Sequence, residues 1–214
     1  MRRIEFRNIA FTYPAPQDQG SFSIGPIDLK VNEGEIIFLV GGNGSGKTTF
    51  LKVITGLYYP QQGTVLMDGL TVNKANYQHY RNEMAVIFSD FHLFDRLYGL
   101  KEVDMDRLKE SLRSMGLMEK TAYVDGRFTN LNLSSGQKRR LALIIALMED
   151  KPILVVDELA ADLDPVFRKY FYEVILVDLK SRGKTIIATS HDDRYFHVAD
   201  KVVKMEYGRI IDGD

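Results

Sequence analysis

Eight consecutive residues, Gly41-Gly42-Asn43-Gly44-Ser45-Gly46-Lys47-Thr48, satisfy the pattern G-x-x-x-x-G-K-[ST] without a mismatch. Each residue type in it has a physical reason. Glycines leave backbone N–H groups free to curl around phosphate oxygens that a side chain would push away. A helix beginning near Lys47 aims its partial positive end at the same anion. Lys47 adds a full charge for β- and γ-phosphates, the Thr48 hydroxyl is placed to ligate Mg²⁺, and Thr49 follows in the same helix. A glycine-rich turn without chemistry needs no apolar strand before it and no helix after it, and this one has both.

A second group is Ile153-Leu154-Val155-Val156, an apolar run that ends in Asp157-Glu158. Acids at the carboxyl edge of a parallel sheet face the ligand crevice. Asp157 would hold the water shell of Mg²⁺, and Glu158 would polarise an attacking water as general base. An acidic pair after a strand also suits a solvated loop or a helix cap. The complete phosphate loop upstream favours chemistry.

The third group, Leu133-Ser134-Ser135-Gly136-Gln137, ends 20 residues before Asp157 and opens the helix KRRLALIIALM. It suits anion binding at a helix N-terminus, with Ser134 and the Gly136 backbone as donors. Ser134 is also an ordinary N-cap, a reading that leaves the Gly-Gln pair and the spacing to Asp157 unexplained. With these residues the chain resembles the ATP-binding cassette (ABC) ATPases, whose signature is LSGGQ; Ser135 stands where that signature has a glycine. The resemblance covers nearly all 214 residues.

The resemblance implies an ATPase that uses ATP and Mg²⁺. Tyr13 matches the aromatic that stacks on adenine. Gly41 to Thr49, together with Ser134, Ser135, Gly136 and Gln137, match nucleotide-binding positions. Thr48 and Asp157 match the metal positions, and Glu158, Lys47 and His191 the catalytic ones. His191, in Thr189-Ser190-His191-Asp192-Asp193, would sense the γ-phosphate, and Ala161-Asp162-Leu163-Asp164 occupies the D-loop. Tyr13 and His191 each also suit ordinary packing. A signature carried away from Lys47 by a helical insertion cannot serve the phosphate of its own chain. The family's solution is a head-to-tail dimer, a second copy supplying the signature to each ATP.

Residues 86–94, VIFSDFHLF, depart from the family pattern. Transport cassettes carry a stretch similar to VPQDPFLF, where the glutamine contacts Mg²⁺ and water and links the site to a membrane domain. Alignment puts Ser89 at the glutamine and Asp90 at the following acid. Serine is too short to span what a glutamine amide spans, although its hydroxyl can act through a water. One explanation is a degraded site. The other is a branch with its own linker, since FSDFHLFD, DELAADLDP and SHDDRYFHVADKV resemble the cassettes of cyclic-peptide and pyoverdine-type siderophore exporters. That resemblance implies a transmembrane domain, fused or separate, and a place at the cytoplasmic face of the inner membrane. Phe88, Phe91, His92, Leu93, Phe94 and Tyr98 then form a dock for it, or else belong to the core of a helical lobe.

The elements that must position these residues follow from periodicity. Ile4 to Leu29 is β-rich around a turn at 14–20, and Glu35 to Val40 (EIIFLV) has the apolar continuity of a strand covered on both faces. A helix follows from Thr48 to Leu57, and a hairpin over 61–72 turns at Asp68-Gly69. Residues 73–132 read as helical, 141–149 as a helix and 153–156 as a strand. Pro165 starts a helix running to about Arg182 and closed by Gly183. A strand over 184–190 and a hairpin around Gly208 complete the chain. The expected fold is α/β: a P-loop NTPase core of mainly parallel sheet flanked by helices, with an N-terminal antiparallel β subdomain. Residues 1–72 and 133–214 form that core in one ABC ATPase domain, and 73–132 a helical subdomain.

Composition narrows the rest. A net charge of −1 gives no steering toward nucleic acid, and the absence of cysteine excludes disulfides and thiolate metal sites. Met1-Arg2-Arg3 runs directly into alternating polar residues, unlike a secretory signal. The longest apolar run, Leu141 to Met148, falls short of the roughly 20 residues of a membrane-spanning helix. Two other readings stand beside the exporter. One is a soluble ABC ATPase with a non-membrane partner; the other is a monomeric P-loop kinase, against which LSSGQ and His191 count.

Overall fold

The structure, a computed structural model, describes residues 3–14, 21–100 and 102–213. Of the turn expected at 14–20, all but Pro14 lies outside the described residues. In chain order the elements are β1 (Arg3–Thr12), β2 (Ser23–Asn32), β3 (Ile36–Val40), α1 (Lys47–Ile54), β4 (Gln62–Met67), β5 (Leu70–Thr71), α2 (Tyr77–Asn82), β6 (Met84–Ile87) and α3 (Met105–Ser114). They continue with β7 (Tyr123–Val124), β8 (Arg127–Phe128), α4 (Ser135–Met148), β9 (Ile153–Val156), α5 (Pro165–Tyr170), α6 (Leu176–Ser181), β10 (Thr185–Thr189), β11 (Lys201–Glu206) and β12 (Arg209–Gly213).

A six-stranded sheet in the order β12-β11-β3-β10-β9-β6 is parallel throughout except for β12. A four-stranded antiparallel sheet runs β2-β1-β4-β5. This is the α/β P-loop NTPase core, with its antiparallel β subdomain, expected from the sequence.

The continuous apolar runs have a plain cause. Ile36 and Phe38 of β3, Leu154 and Val156 of β9, and Ile186 and Ala188 of β10 pack with α4 and the 165–181 helix. Their neighbours Ile37, Leu39, Ile153, Val155 and Ile187 pack instead with α1 and the antiparallel sheet. Successive side chains point to opposite faces, and both faces are covered, so the middle of each of these strands is apolar on both sides.

The turn at Asp68-Gly69 has φ of 51° and 81°, the two positive values a tight two-residue hairpin requires. Pro165 is the first helical residue, the Asp164 carboxylate caps that helix by accepting from Phe167 N at 2.9 Å, and Gly183 closes it with φ 78°. A π-helical turn over Phe171–Ile175 joins α5 to α6.

The stretch 73–132 is less helical than its pattern suggests. α3 is present, capped by Asp104, with Leu108 and Leu112 buried one turn apart. β6, however, is the edge strand of the six-stranded sheet, and β7 and β8 form a hairpin around Asp125-Gly126. Burial explains β6. Three of its four side chains are inside. At about 1.5–3 kcal/mol per fully buried apolar side chain, that outweighs local helix propensities of no more than about 0.7 kcal/mol per residue.

Candidate functional site

Four adjacent parallel strands end at one place. β3 runs into Gly41, β9 into Asp157, β10 into Ser190-His191 and β6 into Phe88-Ser89. The fold thus gathers side chains more than a hundred residues apart at the carboxyl edge of the sheet.

The phosphate loop is held from behind and open in front. A Cβ on Gly41 (φ 143°) would lie 2.2 Å from the Met205 carbonyl oxygen, and one on Gly46 (φ 105°) 2.9 Å from Ile24 Cγ2. A Cβ on Gly42 or Gly44 would meet nothing within 4 Å. Ser45 O accepts from Gly208 N at 2.9 Å, so the β11–β12 turn braces the loop. Lys47 donates to the carbonyls of Gly41 (2.9 Å) and Gly42 (3.0 Å), which hold its ammonium within the loop. Burial lowers the Lys47 pKa, and the carboxylates of Glu158 and Asp157 oppose that shift. A cavity of about 480 Å³ lies in front, lined by Asn43 to Thr49, Glu158 and Phe22.

Tyr13 sits beside this cavity. Its hydroxyl is 3.4 Å from Thr49 Oγ1, and its ring is edge-on to Phe11 at 5.2 Å and to Tyr58 at 5.6 Å. The half-exposed Phe22, whose carbonyl accepts from Tyr13 N, lines the cavity itself. It stands beside an uninformative Pro/Gly/Gln-rich stretch, and sequence reading passed over it.

Asp157, fully buried, is the hub of the site. Its Oδ2 accepts from Thr48 Oγ1 at 2.8 Å and from Ser89 Oγ at 3.2 Å, and its Oδ1 accepts from Thr189 Oγ1 at 2.9 Å. Thr189 Oγ1 in turn accepts from Glu158 N at 2.7 Å. Thr189 was also missed; its position at the end of a strand beside His191 was the available signal. Among the described residues no group of three or more His, Cys, Asp or Glu is arranged to hold a metal. Mg²⁺ takes one or two protein oxygens together with waters and phosphate. The adjacent hard oxygens of Thr48 and Asp157 fit that requirement.

Glu158 has φ 51° and ψ 32°, a left-handed conformation that costs a non-glycine residue on the order of 1–3 kcal/mol. The neighbouring hydrogen bonds hold it there. His191 Nε2 lies 3.1 Å from Glu158 Oε1. In the tautomer that carries its hydrogen on Nε2, His191 donates in this contact.

The signature opens α4 as a capping box. Ser134 Oγ accepts from Gln137 N, and Gln137 Oε1 accepts from Ser134 N at 3.0 Å. Ser135 is exposed. The glycine that packing requires is Gly136, where a Cβ would lie 2.9 Å from Asp162 O. None of residues 133–137 lines the phosphate-loop cavity.

In the stretch after β6, Ser89 reaches Asp157 directly rather than through a water. Asp90 is exposed. The aromatics divide. Phe88, Phe91 and Leu93 pack against the two cores, whereas Phe94 and Tyr98 are 55% and 64% exposed. His92, Phe94 and Tyr98 line a groove on α4 that also holds Glu149, whose pKa burial raises.

Residues 24–161 match the sequence family described as ABC transporter. The ATP-binding protein SyrD of Pseudomonas syringae pv. syringae is 45% identical over 212 residues, 97% of this chain and 38% of that protein. The ATP-dependent lipid A-core flippase of Burkholderia pseudomallei is 30% identical over 221 residues, 98% of this chain and 36% of that protein. The chain therefore spans a little over a third of the length of these relatives. Among solved structures, the ADP- and Pi-bound dimer of the ATP-binding cassette MJ0796 superposes with a TM-score of 0.82 at 22% identity, over 99% of this chain and 97% of that one. An ATP-bound bacterial Atm1-family ABC exporter gives 0.81 at 21% identity, over 99% of this chain and 38% of that one. At such identities the likeness is one of fold.

Proposed function

The chain belongs to the ABC transporter family, and on that premise we propose that it is the Mg²⁺-dependent ATPase domain of an exporter for a peptide- or siderophore-like substrate. The observation that carries the ATPase reading is the convergence of Lys47, Thr48, Asp157, Glu158 and His191 at the ends of β3, α1, β9 and β10. Lys47 and the loop amides neutralise the β- and γ-phosphates, a role for which the inward-held ammonium is pre-organised. Thr48 and Asp157 hold Mg²⁺, which supplies charge neutralisation for the phosphates. Glu158 takes the proton of a water attacking the γ-phosphorus, while His191 holds that carboxylate through Nε2. ATP and water leave as ADP and orthophosphate.

Ser134 and the α4 N-terminus serve the ATP of a second copy in a head-to-tail dimer. The absence of the signature from the cavity of its own chain supports this reading. Exposed Phe94 and Tyr98, in the groove on α4, receive the transmembrane partner. What supports an exporter is the likeness of the 86–94 stretch to that branch and the 30% identity to a flippase. Among the described residues no helix is long and apolar enough to cross a membrane, so the proposed partner supplies the spans.

Glu158→Gln tests the core of this reading. The variant is expected to bind MgATP, to lose turnover, and to run as a dimer in light scattering only when MgATP is present. Wild-type turnover by it would remove Glu158 as the base. ATP binding without dimerisation would remove the sandwich. Export is tested in membrane vesicles carrying the full transporter, where Lys47→Ala is expected to abolish ATP-dependent efflux of a cyclic peptide. Undiminished efflux would remove the motor role.

A further inference from the structure

Two successive arginines follow the signature, and they hold the two ends of the turn that carries Glu158. Arg139 Nη1 donates to the Glu158 carbonyl at 2.9 Å, and its Nε donates to Asp162 Oδ2 at 2.8 Å. Its side chain is only 11% exposed, and its guanidinium carbon lies 6.0 Å from the centre of the Phe91 ring, two residues beyond Ser89. Arg140 pairs with Asp164, donates to Met115 O at 3.3 Å, and stacks on Phe167 at 4.2 Å. On the same helix, Gly136 lets α4 approach the Asp162 carbonyl.

The two arginines differ in what they touch. Arg140 holds the N-cap of α5 and packs within the helical layer, a structural task. Arg139 binds the main chain of Glu158 itself. That residue is in a left-handed conformation, with its N–H on Thr189 and its carbonyl shared between Arg139 and Ala161 N. Rotation of its ψ moves the carbonyl, and rotation of its φ swings the carboxylate about the adjoining bond. A planar guanidinium with two fixed donors restrains the carbonyl against both Asp162 and α4.

We propose that Arg139 is a positioning residue for hydrolysis: by bridging the Glu158 carbonyl and Asp162 from the signature helix, it sets the aim of the Glu158 carboxylate. The proposal rests on the reading of Glu158 as general base. It links the position of α4, and through Phe91 the 86–94 loop, to the base within a single chain.

Turnover and KM for MgATP are measured for Arg139→Gln and Arg139→Lys, and for Arg139→Gln combined with Glu158→Gln. Misaiming a catalytic group by about 1 Å costs up to about 100-fold, so Arg139→Gln is expected to lose about tenfold to 100-fold in kcat. KM is expected to stay within about twofold, because Arg139 touches no substrate. Arg139→Lys, which keeps the charge but offers no planar fork, falls between that variant and wild type. In the Glu158→Gln background Arg139→Gln costs nothing further, because the group it positions is already gone.

Wild-type kcat in Arg139→Gln, with Glu158→Gln inactive, overturns the proposal and leaves the base assignment standing. Losses that multiply in the double variant also overturn it. If Arg139→Gln does not fold, the kcat of Arg139→Lys decides: a reduced value at unchanged KM supports the proposal, and a wild-type value overturns it. Wild-type turnover by Glu158→Gln is the separate failure of the base itself.

Discussion

Ser89 donates its hydroxyl to Asp157 Oδ2 at 3.2 Å, the same oxygen that accepts from Thr48 Oγ1 at 2.8 Å. The residue that departs most from the family's glutamine is therefore in direct contact with the proposed metal carboxylate. Its short side chain suffices because β6 ends beside β9, which brings its loop next to Asp157. Ser89→Ala removes one donor of two on that oxygen. A hydrogen bond to a charged group is worth about 1.5–3 kcal/mol, and water can replace part of it at a half-exposed position, so the loss in ATP turnover is expected to stay below about tenfold. Coupled transport is expected to fall further than turnover, measured as substrate moved per ATP in vesicles. Complete loss of hydrolysis in the chain would contradict this.

The glycines of the phosphate loop divide by what lies in front of them. A side chain at Gly42 would face open space at an unstrained φ, and one at Gly136 would press on the Asp162 carbonyl at 2.9 Å. Gly42→Ala is expected to leave folding stability within about 0.5 kcal/mol of wild type. It should still weaken ATP affinity, since the new methyl occupies the face proposed for phosphate. Gly136→Ala is expected to cost about 1–3 kcal/mol, as overpacking against backbone does. Chemical denaturation and ATP titration separate the two. Equal effects on stability would show that a side chain at Gly42 is not free of the fold.

Much of this site was legible in the sequence because its chemistry depends on local runs. Gly41 to Thr48 and Ile153 to Glu158 each carry strand, turn and polar group in consecutive residues. The exposed Ser135 and the tightly packed Gly136 were not separable there, because the difference lies in Asp162, far along the chain. Thr189, Arg139 and Phe22 were missed for the same reason. Each acts through a partner set by the order of the strands or the seating of α4, and no run of neighbours announces it. The strand β6 escaped because four apolar residues without turn signals suit a helix equally well.

Asp164 ties the turn that ends at the start of α5 to stability at low pH. The Phe167 N–H it accepts, together with the nearby Arg140 guanidinium, holds its carboxyl below the usual aspartate range. A carboxyl whose folded pKa is depressed contributes stability above its unfolded value, about 3.9, and loses it as pH falls through the folded one. Asp164→Asn keeps a capping oxygen but has no charge to titrate. It is expected to flatten the fall in thermal midpoint below pH about 4 and to lower the neutral-pH midpoint by the charge-dependent part of that stability, the neutral cap being kept. Asp164→Ala removes the cap and is expected to cost about 1 kcal/mol at neutral pH. An acid limb of unchanged slope in Asp164→Asn would assign the pH dependence to other carboxyls.

Thr189 joins the two acids of the site through one oxygen. Its hydroxyl donates to Asp157 Oδ1 and accepts from Glu158 N, so a single group fixes the proposed metal carboxylate and the backbone of the proposed base. Thr189→Val keeps the shape of this buried strand residue and removes both bonds. It leaves a buried N–H without its acceptor and Asp157 without one donor, an imbalance worth about 1–3 kcal/mol in stability. Because the same substitution frees Glu158 on its N-terminal side, kcat is expected to fall together with stability. Thr189→Ser restores the hydroxyl at the cost of one methyl, and is expected to recover most of kcat while remaining slightly less stable than wild type. Recovery of stability without kcat would mean that the threonine methyl, and not its hydroxyl, aligns the base. The pair of variants, assayed for denaturation midpoint and ATP turnover, decides between them.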